Sequence, residues 1–448
     1  MRAITLISRF LLLSFITVPG FAFDIQMSAP PDFADRVNST NKVGLDFIRE
    51  VIKDDSGQSK VLKNTMISPI SAYTAFAMLH TGLRSQTESK LESFLAAPSH
   101  SLTEFDNQNQ ALLGSLRINK VPDDKQPKFG PKFPVIGIAN SAWATNGKTT
   151  KARFEFAPEF TSSLEKYYDT AFYSLDFEKS QSADLINKWA SEKTNGLIPS
   201  VVKPDLIKGL TWLLMNATYL EASWAIKFKV VPAAGAPRFS LLNGQKEAVD
   251  MISGGGDLTY IENANYQAVE VPFFGADLSF LVVMPDSNQN FKKWTLDGTF
   301  FSQDSWNKLT KAFSDADSLP HESDVRLKLP KFSFAYSKTI MKNQPITKQL
   351  GLDFLFLKEN KPDFAPLGGV VGTEPGTVVG IVKQDTKIEL DENGVKAAAV
   401  TLIGPGKGAK PHPKPIKNIV IDRPFVFAIV SKSTGTLLFI GTVVDPKR

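Results

Sequence analysis

The sequence predicts an α+β fold. Three observations carry that expectation. Helix signals with good caps concentrate in the first half of the 448 residues, strand and hairpin signals concentrate later, and no fixed-period repeat or regular strand–helix alternation links them. A 42% hydrophobic fraction beside 22% charged residues supplies material for one large core.

In chain order, the first element is a targeting signal. Arg2 and Arg9 give a basic start, Phe10 to Val18 a short apolar run, and Pro19-Gly20-Phe21-Ala22 a breaker with small residues, so cleavage is expected after Ala22. The run is too short to span a bilayer, and no later segment is long and apolar enough. Ser68 as cap and Pro69 at the first helical position start a helix carrying Ile70, Tyr73, Phe76, Ala77 and Leu79, which Gly82 stops. Ser85 and Glu88 have capping-box spacing before Leu91, Phe94 and Leu95. A third helix holds Leu185, Ile186 and Trp189 and ends at Asn195-Gly196, a left-handed cap.

Strand signals follow at Val135 to Ala144, Leu213 to Leu220 and Leu278 to Met284, and an alternating run covers Val325 to Phe334 with Pro330 inside it. Phe425 to Val430 and Leu437 to Val443 flank Ser433-Thr434-Gly435, a hairpin signature. Asn119 to Pro134 has no apolar period and reads as an exposed loop. Gly404 to Lys417 is broken by prolines and glycines and reads as an extended exposed tether.

Composition excludes several functions. Removing Arg2 and Arg9 with the signal takes the net charge from +5 to +3, which argues against nucleic acid as partner. The absence of cysteine excludes thiol catalysis and cysteine–metal sites. His80, His100, His321 and His412 lie too far apart for the usual zinc spacings, and each reads as a packing or surface residue. No G-x-S-x-G, H-E-x-x-H or G-x-G-x-x-G signature is present, so neither an enzyme nor a cofactor nor a metal is expected. Lys120, Lys125, Lys128 and Lys132 suggest a polyanion site, but Asp123-Asp124 in the same loop favours a merely solvated segment.

From about residue 40 to the C-terminus, ordered blocks resemble the serpin family. They are Asn64-Thr65-Met66-Ile67-Ser68-Pro69-Ile70-Ser71; Ile186 to Ala190 with Thr194 to Ile198; and Leu214 to Tyr219 leading to Trp224. Leu329-Pro330-Lys331-Phe332, Gln349-Leu350-Gly351, Glu392 to Ala399, Arg423-Pro424-Phe425 and Phe439-Ile440-Gly441 follow. The resemblance implies one serpin domain over residues 23–448, with helices around three β-sheets and an exposed reactive centre loop at about 392–418. It implies no enzymatic activity. It implies an inhibitor that a serine protease attacks as a suicide substrate, the cut loop then inserting into the central sheet. A non-inhibitory carrier, chaperone or storage role is the alternative within the family. A secreted monomer without stable membrane association is expected, periplasmic in a Gram-negative host.

Residue by residue, Glu392 and Gly394 match the family hinge, followed by Val395, Ala397, Ala398, Ala399 and Thr401. A strand entering a sheet turns every second residue inward, and Val395, Ala397, Ala399 and Thr401 form a small or β-branched row. Lys396, Ala398 and Val400 form the outward row. Ser68, Ser71 and Asn216 match the polar cluster where the sheet opens, with Gln384 in place of the usual histidine. Trp224 matches the tryptophan where the loop begins to enter. Family spacing counted from Glu392 lands on Gly408; a loop one residue shorter, with the lysine chemistry that suits a trypsin-like protease, puts the reactive bond at Lys407-Gly408, and Gly408-Ala409 is the alternative for a small-residue protease. Pro405 is a departure, because a proline removes a ladder donor from a central strand.

Overall fold

A computed structural model describes residues 33–59, 61–97, 101–117, 130–149, 153–275, 277–319, 323–357, 360, 362–371, 379, 381–395 and 414–447. Its helices are α1 (Ala34–Ser59), α2 (Pro69–Thr81), α3 (Ser85–Phe94), α4 (Leu102–Arg117), α5 (Pro158–Tyr168), α6 (Ser180–Lys193), α7 (Pro204–Ile207), α8 (Asn288–Leu296), α9 (Gln303–Asp317) and α10 (Pro345–Gln349). None of them is long and apolar enough to cross a membrane.

Three sheets organise these helices. The main sheet runs in the order β14 (Phe332–Met341), β16 (Ile381–Asp391), β17 (Gly394–Val395), β5 (Trp212–Ser223), β2 (Val135–Thr145), β4 (Thr170–Leu175). Only β2 and β4 pair in parallel. The second is antiparallel: β1 (Thr65–Ile67), β20 (Leu437–Val443), β19 (Phe425–Ser431), β12 (Leu278–Pro285), β11 (Tyr266–Pro272), β10 (Tyr260–Glu262). The third is β18 (Ile416–Val420), β13 (Asp324–Pro330), β9 (Met251–Gly256), β6 (Lys229–Val231). Two small ladders, β3 (Phe154–Phe156) with β15 (Gly368–Val370) and β7 (Phe239–Ser240) with β8 (Lys246–Glu247), complete the set.

The second sheet is central to the core. Every residue of β12, β19 and β20 is buried, which explains why those stretches read as continuous apolar runs. Helix α2 is buried on nearly all sides, and its caps are those the sequence predicts: the Ser68 hydroxyl accepts from the Ser71 amide and Gly82 closes the C-terminus. Gly44 of α1 sits so close to α2 that a Cβ there would lie 2.2 Å from Pro69 Cβ. On α1, Asp54 and Asp55 both take the buried Lys338 ammonium of β14 at 2.7 Å.

A second, smaller apolar cluster is separate. Ile186, Trp189 and Ala190 of α6, with Leu197, Ile198, Val201 and Val202 after it, rest on Trp143 of β2 and on Leu213 and Ala217 of β5. Asn195 and Gly196 take left-handed φ values of 51° and 75°, as their predicted cap requires.

Three sequence expectations are corrected. Ser85 does not cap α3: Arg84 holds that position without a side-chain bond, and Ser85, at φ 63°, donates its hydroxyl to Asp363. The run from Val325 to Phe334 is two strands in different sheets, divided after Pro330. The tether read as ending at Lys417 gives way to strand β18 at Ile416.

Candidate functional site

The main sheet is split. Strand β17 contributes only two residues between β16 and β5, pairing Leu390 with Val395 and Asp391 with Gly394 on one side, and Gly394 with Ser223 and Val395 with Ala222 on the other. Beyond Val395, no ladder pair joins β16 to β5 among the described residues. Gly394 has φ 147°, and a Cβ on it would lie 1.9 Å from the Ala222 carbonyl oxygen, so glycine is required there. Val395 is buried, its side chain already on the inward side that the alternation predicts.

Trp224 closes this end of the gap. It is buried, lies parallel to Phe273 with ring centres 4.9 Å apart, and donates its indole N–H to the Asp391 carbonyl at 2.8 Å. Its backbone amide donates to the Asn393 carbonyl at 3.1 Å. The Asp391 side chain accepts the Asn393 amide at 2.7 Å, which tightens the turn. Glu392 pairs with Lys331 at 2.8 Å. Burial alone would raise the Glu392 pKa, but the Lys331 hydrogen bond, the Glu392 backbone and the Lys331 charge outweigh it and hold the carboxyl below its ordinary value of 4.5.

The expected polar cluster divides into two networks, one on each bank. On the β16 side, Gln384 accepts the Ser68 amide at 3.1 Å and donates to the Ser68 carbonyl at 2.9 Å, while the Ser68 hydroxyl caps Ser71. On the β5 side, Asn216 donates to Asn140 at 2.6 Å and accepts from Thr218 at 2.9 Å, and Asn140 donates to the Tyr168 carbonyl. Asn216 therefore makes no hydrogen bond to Ser68, Ser71 or Gln384, contrary to the single cluster expected. Ser71, Asn216 and Gln384 nevertheless line one cavity beneath the gap, together with Lys338.

The remaining predicted residues, Ala397, Ala398, Ala399, Thr401 and the bond at Lys407, Gly408 and Ala409, lie outside the described residues. The far end of the loop is anchored. Lys414 pairs with Asp257 at 3.1 Å, the Pro415 carbonyl accepts from Asp324, and Lys417 of β18 reaches Glu262 at 2.7 Å. Sequence reasoning missed Lys331 and Asn140. Lys331 follows Pro330 in a block that resembles the family, which was the signal available.

The main sheet thus carries a two-residue strand between β16 and β5, and beyond it the two strands share no ladder pair among the described residues. The family model described as "Serpin (serine protease inhibitor)" matches residues 38–446, and the chain belongs to that family. The family is one of protease inhibitors rather than of catalytic enzymes. The chain is 27% identical to an uncharacterized serpin-like protein of Thermococcus kodakarensis, over 97% of this chain and 91% of that one. It is 28% identical to the leukocyte elastase inhibitor of Homo sapiens, over 86% of this chain and 93% of that one. The native structure of the thermophilic serpin Tengpin superposes with a TM-score of 0.72 at 25% identity, covering 94% of this chain and 96% of that one.

Proposed function

We propose that this chain inhibits a serine protease of trypsin-like preference as a suicide substrate. The observation that carries the reading is the two-residue strand β17, a started but unfinished insertion. The protease serine attacks the Lys407 carbonyl, the Gly408 amine leaves, and the acyl-enzyme is trapped as the freed loop enters the gap.

The register of β17 supports this. Continued downward, residues 396 to 404 meet Glu221 to Leu213 on β5 and Glu389 to Ile381 on β16. Ala397 and Ala399 then face Leu220, Ile388, Thr218 and Thr386, where small side chains are needed. Thr401 arrives between Asn216 and Gln384 and offers one hydroxyl to two networks that do not touch. Pro405 meets Trp212, where β5 begins and β16 has already ended. A proline at the end of a strand costs no central ladder bond, so Pro405 is compatible with insertion. Lys407 lies just past that end.

The protein acts as an exported monomer, with residues 1–22 as its signal and no stable membrane association. The test is a protease panel read on denaturing gels, with mass spectrometry of the released C-terminal peptide. A detergent-stable complex and a peptide starting at Gly408 are expected. A peptide starting at Ala409 would move the target to small-residue proteases, and proteases that cut the loop yet stay active would overturn inhibition. N-terminal sequencing starting at Phe23 checks export.

A further inference from the structure

The last turn of α2 and the face of α3 beside it bring three side chains together that the inhibitory reading does not use. They are His80, Glu88 and Glu92, whose ligand atoms all lie within 4.8 Å of one another. Glu88 and Glu92 are four residues apart on α3 and share one helical face. Helix α2 delivers His80 opposite them.

The histidine has no adequate partner of its own. Its side chain is only 2% exposed, and neither ring nitrogen has a hydrogen-bond partner. The nearest carboxylate oxygen, on Glu92, stands 3.5 Å from Nε2, too far for a good hydrogen bond. An orphaned buried nitrogen is costly, and native proteins rarely leave one without a reason. Phe105 of α4 packs against the imidazole with centroids 4.7 Å apart and fixes the ring plane. The other charged groups facing this cluster are Arg84, Arg36 and Asp363.

We propose that His80, Glu88 and Glu92 form a binding site for a divalent transition-metal ion of the zinc class. One imidazole nitrogen and two carboxylates suit zinc, with water completing the tetrahedron; a set built only of oxygens would suit calcium or magnesium better. Ligand atoms around zinc stand closer than 4.8 Å, and the glutamates close the difference by rotation. Both are partly exposed, so the ion reaches the site from solvent and the buried histidine meets it from beneath. Histidine-pair spacing does not reveal such a site, because only one ligand is a histidine.

The bound ion would join the end of α2 to α3. The other end of α2 carries Ser68, which holds Gln384 at the gap. The site thus grips the helix on which one bank of the split sheet rests.

The test uses the full mature chain, with zinc as the probe. Competition against a chromophoric chelator measures affinity, and thermal melting with and without zinc measures linkage. One zinc per chain and a zinc-dependent rise in melting midpoint are expected. Glu88→Gln/Glu92→Gln changes only partly exposed groups. It should keep the metal-free midpoint, bind zinc at least about tenfold more weakly and lose the rise. Should the double variant fail to fold, Glu92→Gln alone carries the same expectation of weakened binding. No zinc binding, or equal affinity and equal midpoint rise in the variant, would overturn the site. Anomalous scattering at the zinc edge adds an independent check: density at His80 supports it, and density only elsewhere rejects it.

Discussion

Gln384 and Ser68 are joined at both ends of one amide. The Gln384 oxygen accepts the Ser68 N–H, and its nitrogen donates to the Ser68 carbonyl. The pair ties β16 to the start of α2 through uncharged groups. Gln384→Met removes both bonds and leaves the buried Ser68 N–H unpaired, while the Ser68 carbonyl keeps the Ala72 amide at 3.0 Å, so native stability should fall by about 1–3 kcal/mol. Urea unfolding of the intact protein measures it. Gln384→His should add a further pH dependence between about 5 and 8 to that of the parent, and identical stability profiles would refute this.

Gly394→Ala forces a side chain against the Ala222 carbonyl at a φ that disfavours it. Strand β17 should leave the sheet, at a cost of about 1–3 kcal/mol. Faster hydrogen exchange at the Val395 amide is the accompanying sign. Unchanged exchange would mean that the hinge tolerates the substitution in place.

Cleavage of the loop should raise the melting midpoint, because a new central strand adds ladder bonds and buried area worth on the order of several kcal/mol or more. Val395→Arg would prevent insertion, but Val395 is already buried in the intact protein, so that variant would also disturb the starting state. Thr401→Arg is the cleaner probe. It should be cut normally, form no stable complex and show no gain in midpoint on cutting. A stable complex from Thr401→Arg would reject the register.

On the outward row, the same register brings Lys396 between Glu221 and Glu389. Lys396→Glu makes three like charges adjacent. Insertion should slow, raising the number of inhibitor molecules consumed per protease inhibited, and the defect should shrink as salt rises. No change in that ratio at low salt would show that residue 396 does not pass between these glutamates.

The Glu392–Lys331 pair gives a pH signature. The Glu392 pKa is held below its ordinary 4.5 in the folded protein. Its stabilisation is therefore fully present above 4.5 and is lost as pH falls through the lowered value. Melting of the parent and of Glu392→Gln should differ most above that range and converge in acid. A gap that widens as pH falls would contradict the assignment.

Much of this was legible from local chemistry. Ser68-Pro69, Asn195-Gly196 and the Ser433-Thr434-Gly435 hairpin each announce themselves, because a cap or turn is decided by a few adjacent residues. Helix α1 gave a weaker signal: Ser39, Thr40, Asn41, Asp54, Asp55 and Gly57 favour caps and turns, and its packing against α2 and β14 overrides them. Ser85 failed as a cap because Asp363, far away in sequence, takes its hydroxyl. At the site, Gly394 and Trp224 were readable as residue types. The division of Ser68, Ser71, Asn216 and Gln384 into two banks was not, since it depends on which distant strands pair and where the pairing stops.

The separate apolar cluster under α6 has a bearing on speed. On the proposed mechanism an incoming strand would pass beneath that helix, which rests on Leu213 and Ala217 of β5 without belonging to the larger core. Such a raft can lift and resettle as a local cooperative unit while the rest of the molecule stays shut. Residues such as Trp189 and Ile198 would then govern how quickly the proposed insertion proceeds, whereas the second sheet would govern how long the intact state survives. Two properties that a single undivided interior would bind together become separately adjustable.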